Sequence, residues 1–356
     1  MNDRAVSVLS EYDFEVIRTW KGRGAILFET PEGIRILKEY TGLTDKLTLQ
    51  NALLSRIREA GGVTAEEIIP NKEGVLWTQD QNRDTYIVKT YFEGRECNIR
   101  EEAECRQAAE TLAKLHQVMH LPDGAQNDAA QGEAQNVAGK AQGSASQTAA
   151  EKAQGSASQT AARMDREYEK HNRELKKVRR FLRDKSQKND FEIYLLKYYD
   201  SFMEQAFSVT EAWRACRSED TAPTHGDDEW CHGDYQYHNL LLDKNDMCVI
   251  NFEKCMCDSQ VRDLYLFLRK LLEKNNWSVA FGDMLLAAYQ KERTLSRKEL
   301  EQLYYRLAYP EKFWKIVNFY YNAGKAWIPG RNMEKFDKLL RQEKEKQNFL
   351  RTLRQG

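Results

Sequence analysis

Within Cys231-His232-Gly233-Asp234-Tyr235-Gln236-Tyr237-His238-Asn239 an aspartate and an asparagine stand five apart, behind a His-Gly pair. Farther on, Val249-Ile250-Asn251-Phe252-Glu253 ends a short apolar run in polar side chains. This spacing suits phosphoryl transfer. An aspartate on a tight loop accepts the proton of an attacking hydroxyl, an asparagine beyond it faces a metal, and a second aspartate after the next strand holds Mg2+ between phosphates. His232 and Asp234 are therefore the candidate catalytic residues, and Asn239, Asn251 and Glu253 the candidate metal ligands. The second aspartate of the pattern is replaced here by Asn251.

That replacement bears directly on the chemistry. Mg2+ is normally held by one or two carboxylates together with phosphate oxygens. Asn239 and Asn251 are both neutral, so only Asp234 or Glu253 could bring negative charge. Glu253 lies two residues beyond Asn251, on the same face if the strand continues. It either completes a metal site or serves as an ordinary surface residue. Losing a full charge a few Å from a divalent ion costs several kcal/mol even at an effective dielectric near 20. ATP and Mg2+ are the expected cofactors of the pattern, with weak or absent chemistry on them expected from this chain.

The elements that would position these groups can be read upstream. Alternating segments at 14–20 and 25–28 flank Lys21-Gly22-Arg23-Gly24, and 34–40 returns after the turn Pro31-Glu32-Gly33. Gly22 and Gly24 fall where a phosphate-covering loop belongs, although a plain hairpin turn reads equally well. Lys38 closes the third strand, where it would reach the phosphates of a nucleotide. A helix over 44–60 follows, with Leu47, Leu49, Leu53, Leu54 and Ile57 at helical spacing. It places Gln50 where a lysine-steering glutamate is usual. Strands at 74–78 and 85–92 come next, and Thr90-Tyr91-Phe92 forms the segment whose backbone would meet an adenine. A helix over 99–120 opens a mainly helical remainder. Asp263 is read as bonding the catalytic-loop backbone, and His116 as a core histidine.

Between 123 and 163 the chain loses its apolar residues, and Lys140–Ala150 recurs at Lys152–Ala162. Such Ala/Gln/Gly/Ser sequence buries too little surface to offset its ordering entropy, so a disordered insertion is expected. A second His-Gly-Asp, at 225–227, lacks the asparagine five residues on. The seven cysteines have no regular spacing, which favours thiols over a disulfide framework. Net charge is −1, so nothing draws the whole chain to nucleic acid. No apolar run approaches the roughly 18–20 residues of a membrane span, and no signal peptide is evident.

On the catalytic-loop residues, Ile250-Asn251-Phe252-Glu253 and Val261-Arg262-Asp263-Leu264-Tyr265-Leu266-Phe267-Leu268-Arg269-Lys270, the chain resembles the aminoglycoside phosphotransferase and choline kinase-like superfamily. Within it, the chain is similar to the CotS-type spore coat proteins of spore-forming Firmicutes, which carry the same Asn for Asp. The resemblance implies an α+β, bilobal protein-kinase-like fold. A small antiparallel-sheet lobe would span 1–93, and a larger helical lobe 94–356. It further implies synthesis in the mother-cell cytoplasm, deposition on the spore coat, and other coat proteins as partners. Two functions stay open: a degenerate kinase acting in coat assembly, or an active ATP-dependent phosphotransferase on a small-molecule or saccharide hydroxyl.

Overall fold

The computed structural model describes residues 3–22, 24–120, 157–218, 229–244, 246–322 and 329–355. Two compact units are formed. One comprises 1–154, 227–263 and 288–293; the other comprises 155–226, 264–287 and 294–356. The protein is mixed α+β, with an antiparallel sheet in its N-terminal region and helices toward its C-terminus.

The first unit is built on a six-stranded antiparallel sheet. β1 (Arg18–Lys21), β2 (Ile26–Thr30), β3 (Gly33–Glu39) and β7 (Thr85–Thr90) lie in that order, and β5 (Ile68–Ile69) and β6 (Thr78–Gln79) also pair with β7. Because side chains alternate across a strand, each face has one job. Phe28, Leu37, Tyr86 and Val88 point one way and form a core with Ala5, Val8, Leu9 and Tyr12 of the N-terminal helical turns. The register Leu37↔Val88 sets the other face, which carries Ile36, Lys38, Ile87 and Lys89. Two lysines are thus aimed away from the apolar core by the same period that buries their neighbours.

A second, four-stranded sheet brings the distant motif to this lobe. β10 (Leu240–Asp243) and β11 (Asp246–Val249) form the hairpin expected from sequence. β8 (Arg95–Glu96) adds antiparallel to β10, and β4 (Thr64–Ala65) adds parallel to β11. The β4–β11 pairing joins residues almost two hundred positions apart. It fixes where Asn251 and Glu253 emerge relative to Lys38 and Lys89.

α2 (Thr44–Ala60) matches its expected bounds, and α3 covers Glu102–Val118. The expected strand at 74–78 is realised only as β6, because Asn71 ties this stretch into a turn by accepting from the N–H groups of Glu73 and Val75. Residues 123–156 of the expected disordered insertion lie outside the described residues, as does the second His-Gly-Asp. From Ala157 the chain is helical, so 157–163 belongs to α4 (Ala157–Asp184), a correction to that boundary. The alanine-rich repeat end has good helix propensity and continues into the apolar stripe of the helix proper.

In the second unit, α4 and α5 (Asp190–Ser218) pack with α9 (Glu311–Asn322) and α10 (Pro329–Gln355) around Tyr168, Leu175, Tyr199, Phe202, Phe313 and Phe336. α6 (Val261–Lys274), α7 (Val279–Glu292) and α8 (Arg297–Ala308) complete the helices. Ser296 and Glu299 close a reciprocal cap at the start of α8. The seven cysteines, all described, form no disulfide. Among the described residues no helix is long and apolar enough to cross a membrane.

Candidate active site

The His-Gly-Asp loop is held from below by one buried carboxylate. Asp263, at the start of α6, accepts from the backbone N–H of His232 at 2.6 Å and of Gly233 at 2.9 Å, the role expected of it. Burial alone would raise the Asp263 pKa, but His116 beside it and these N–H donors hold it below the usual carboxylate range. His116 is itself fully buried, which lowers its pKa, and its Nδ1 lies 2.7 Å from the Tyr289 hydroxyl. Its Nε2 stands 3.5 Å from Asp263, in ion-pairing range without hydrogen-bond geometry.

His232 acts as a brace. Its Nε2 faces the Ile250 carbonyl at 3.0 Å and its Nδ1 faces the Asp234 N–H at 3.2 Å. A carbonyl can only accept and an N–H can only donate, so these contacts require the neutral Nε2–H tautomer. His232 therefore ties the catalytic loop to the strand leading to Asn251, and its ring nitrogens are both engaged. Gly233 takes a left-handed φ of +79°, and an added Cβ would lie 2.1 Å from the Lys254 carbonyl oxygen. Gly233→Ala should cost at least about 1–3 kcal/mol from backbone strain alone, with the clash on top. Chemical denaturation checks this; an alanine variant as stable as the parent would contradict the loop geometry.

Asp234 and Asn239 sit as their spacing requires. The Asn239 amide donates to the Asp234 carbonyl at 2.8 Å, closing the loop on itself. The Asp234 carboxylate accepts from Gln236 Nε2 at 2.7 Å and pairs with Lys254 Nζ at 2.8 Å. Asn251 has φ +68°, ψ +57°, a left-handed conformation that Asn tolerates better than most residues. Its Nδ2 donates to Asn239 Oδ1 at 2.9 Å, and its Oδ1 lies 3.4 Å from Lys38 Nζ. An ammonium can only donate, so Lys38 fixes which way this amide faces.

Beyond Asn251 lies a network of four charged groups. Glu253 accepts from Lys38 at 2.7 Å and from Lys89 at 2.5 Å. Lys89 also reaches both oxygens of Glu66 at 3.1 Å, and Glu66 in turn accepts from the Phe252 N–H at 3.0 Å. Lys46 of α2 donates to the Glu253 carbonyl at 2.7 Å. Lys89 and Glu66 are almost wholly buried, with side chains 2% and 4% exposed. Burial would lower the Lys89 pKa, but the two carboxylates more than reverse it and raise it. Burial would raise that of Glu253, but Lys89 and Lys38 pull it down to about 2.

A depressed carboxylate stabilises the fold above its unfolded pKa and loses that contribution as pH falls through its folded one. Stability should therefore drop between about pH 4.5 and 2, by on the order of 3 kcal/mol from this group. Denaturant titrations at stepped pH should show this drop in the parent and a shallower one in Glu253→Gln. Parallel acid profiles for the two proteins would count against the network.

The remaining candidates are placed apart from these groups. Gln50 is fully buried on α2 among Leu47, Leu53, Leu54 and Ile57, and neither end of its amide has a hydrogen-bond partner. Lys38 takes Glu253 instead. Gly22 and Gly24 lie in the β1–β2 hairpin, where the Gly22 N–H donates to the Ala25 carbonyl at 2.8 Å. Thr90 ends β7 and its hydroxyl accepts from the Glu67 N–H at 2.9 Å; Phe92 follows just beyond the strand. Sequence reasoning missed Lys46, Glu66, Lys89 and Lys254. Lys89 had one available signal, a lone charge at the end of the apolar run Tyr86-Ile87-Val88.

The sequence over 25–304, most of the chain, matches the model of the phosphotransferase enzyme family. The chain belongs to that family. Among solved structures, an aminoglycoside phosphotransferase from Alicyclobacillus acidocaldarius is similar at 18% identity and a TM-score of 0.74. The match covers 98% of this chain and 95% of that one. Spectinomycin phosphotransferase, solved with ADP and spectinomycin, is similar at 11% identity and 0.58, covering 96% and 92%. Amicoumacin kinase, solved with AMP-PNP, Ca2+ and Ami, is similar at 12% and 0.56, covering 98% and 94%. At these identities the likeness establishes the fold. No curated protein matches the sequence.

In this phosphotransferase-family chain the groups expected to face a divalent cation are engaged with one another. Asn239 Oδ1 already accepts from Asn251, Asn251 Oδ1 faces an ammonium, and Glu253 is shared by two lysines. Lys254 holds Asp234. Among the described residues no group of three or more His, Cys, Asp or Glu side chains is placed to hold a metal.

Proposed function

We propose that this chain is a degenerate member of its family, a phosphotransferase scaffold retained for assembly, as in the spore coat proteins it resembles. On this reading its partners are other coat proteins, and it is made in the mother-cell cytoplasm and deposited on the spore. One observation carries the degenerate half of the proposal: Lys38 is bonded to Glu253 and faces the amide of Asn251, so the lysine and the metal-side groups satisfy one another. Two ammonium groups, Lys38 and Lys89, meet two carboxylates, Glu66 and Glu253, leaving no net negative charge for Mg2+ to neutralise.

The spore-coat half rests on the sequence resemblance, which spans nearly the whole chain except 123–163 and is carried by residues from the catalytic loop to Trp277. A second reading, an active ATP-dependent phosphotransferase acting on a small-molecule or saccharide hydroxyl, is favoured by the intact Asp234–Asn239 loop. There Asp234 would accept the hydroxyl proton once released by Lys254.

Thermal denaturation with ATP, with and without Mg2+, separates the two. Degeneracy predicts a small Mg2+-dependent rise in Tm or none. A large rise, abolished by Asp234→Ala or Glu253→Ala, would sink the degenerate reading and favour the active one. Fluorescent fusion in a sporulating host tests the coat assignment separately: the expected signal rings the forespore, and uniform mother-cell fluorescence throughout sporulation would reject it.

A further inference from the structure

The second unit contains a cavity of about 160 Å3 whose lining residues all belong to that unit, with none from the phosphotransfer loop. Six cationic side chains line it against three carboxylates. Two of the cations are buried: Arg269, 4% exposed, and Lys346, 6% exposed. Lys312, Lys335 and Lys338 are more open to solvent. The stripe arises because Lys335, Lys338, Gln342 and Lys346 recur at three- and four-residue steps along α10, on one helical face.

The buried cations are under-used by the protein. Arg269 spends Nη1 on Glu273 at 2.7 Å, while its Nε and Nη2 are buried without a hydrogen-bond partner. Leaving buried guanidinium N–H groups bare is costly, so such groups in a cavity are ready for an acceptor. Lys346 reaches only the carbonyls of Ala308 and Tyr309, at 3.3 and 3.4 Å, and stands 5.7 Å from the Trp277 ring. No carboxylate bonds it, and burial lowers its pKa, so an anion beside it would hold its proton.

The carboxylates narrow the ligand further. Glu273 is taken by Arg269 and Lys312, and Glu311 pairs with Lys315 at 3.1 Å. Glu343 accepts at Oε1 from Gln347 and Gln205, and its Oε2 is buried without a partner. That oxygen needs a donor. A phosphate carrying one proton supplies acceptors for Arg269 and Lys346 and a donor for Glu343, whereas sulfate supplies acceptors only.

We propose that the cavity between α5, α6 and α10 is a binding site for protonated phosphate, free or as a small phosphomonoester, seated on Arg269 and Lys346 and read by Glu343. The volume suits an ion of this size and is too small for a nucleotide. This site stands independently of whether the phosphotransfer loop is active.

The test uses the full chain, sodium phosphate and sodium sulfate at matched ionic strength, and Tm together with calorimetric titration. Phosphate should raise Tm by several degrees over chloride, and sulfate should bind at least tenfold more weakly. Lys346→Met should abolish the phosphate response while keeping its Tm in chloride near the parent's. Arg269→Met should abolish it too, at a lower Tm in chloride because Glu273 is left with Lys312 alone, and Lys335→Gln/Lys338→Gln, which alters only the rim, should weaken binding several-fold without entering the core. Glu343→Gln should let sulfate bind as well as phosphate. A small phosphomonoester that competes with phosphate, or one that fails to, distinguishes free ion from esterified ligand. No phosphate response beyond chloride overturns the proposal. So does a response that survives Lys346→Met and the rim double variant but disappears in Lys38→Met, since that places the anion at the phosphotransfer loop.

Discussion

Replacing Lys89 by methionine should destabilise the protein by about 3–5 kcal/mol, the cost of stripping one partner from a buried ion pair. Tm should fall by on the order of 10 °C. Lys89 is the hinge of the network because it touches both carboxylates, and its side chain is only 2% exposed. Without it, Glu66 keeps the Phe252 N–H but has no cation, and Glu253 keeps only Lys38. Desolvated charge, rather than lost attraction, dominates the penalty. Lys38→Met makes the comparison, since its side chain is 33% exposed and Glu253 would retain Lys89. It should cost well under half as much. Removing charge from both sides, as Lys89→Met with Glu66→Leu, should recover part of the loss, limited by the orphaned Phe252 N–H. Equal stability for Lys89→Met and the parent would mean that the four charges are not a buried unit.

The same network shows why part of this site was readable in the chain and part was not. Asp234, Asn239 and Asn251 are fixed by local spacing: a loop, a hairpin and a second loop, all within twenty residues. Local spacing also carries Asp263, whose helix starts immediately after the motif. Glu66 and Lys89 meet the motif only through the parallel β4–β11 pairing and the β3–β7 register, which bring together residues far apart in sequence. Nothing local in Thr64–Ile69 announces that pairing. A two-residue strand carries too few side chains to show a period.

Gln50 is instructive in a different way. Counting along the helix placed it at the position of a lysine-steering carboxylate, and the helix bounds were right. The 3.6-residue period that sets those bounds also puts position 50 on the stripe of Leu47, Leu53, Leu54 and Ile57, which turns it inward. Spacing identifies the helix; burial decides which residue meets Lys38, and Glu253 does so from another part of the chain. The expected strand at 74–78 failed for a related reason, since Asn71 side-chain bonds compete with the ladder for its backbone.

Restoring the missing carboxylate is the decisive experiment on the chemistry. Asn251→Asp keeps size and shape, and Asp tolerates the left-handed conformation nearly as well as Asn; the ion pair gained with Lys38 offsets the hydrogen bond lost to Asn239, so stability without nucleotide should change little. The new carboxylate would lie beside Lys38, now 3.4 Å from the amide oxygen, and would weaken the hold of Lys38 on Glu253. It would also face Asn239 Oδ1, which at present accepts from the Asn251 amide. That opposition leaves two oxygens with no donor between them, an arrangement a divalent cation relieves. Mg-ATP affinity should therefore rise at least tenfold. At saturating ligand this adds about 1.4 kcal/mol, seen as a Tm increase that requires both Mg2+ and ATP. Gln50→Glu should bring no such gain and should lower Tm on its own, because it buries a charge among leucines. An Asn251→Asp variant that responds to Mg-ATP no more than the parent would show that the amide is not what closes this site. The ion pairs of Glu253 with Lys38 and Lys89 would then be the barrier.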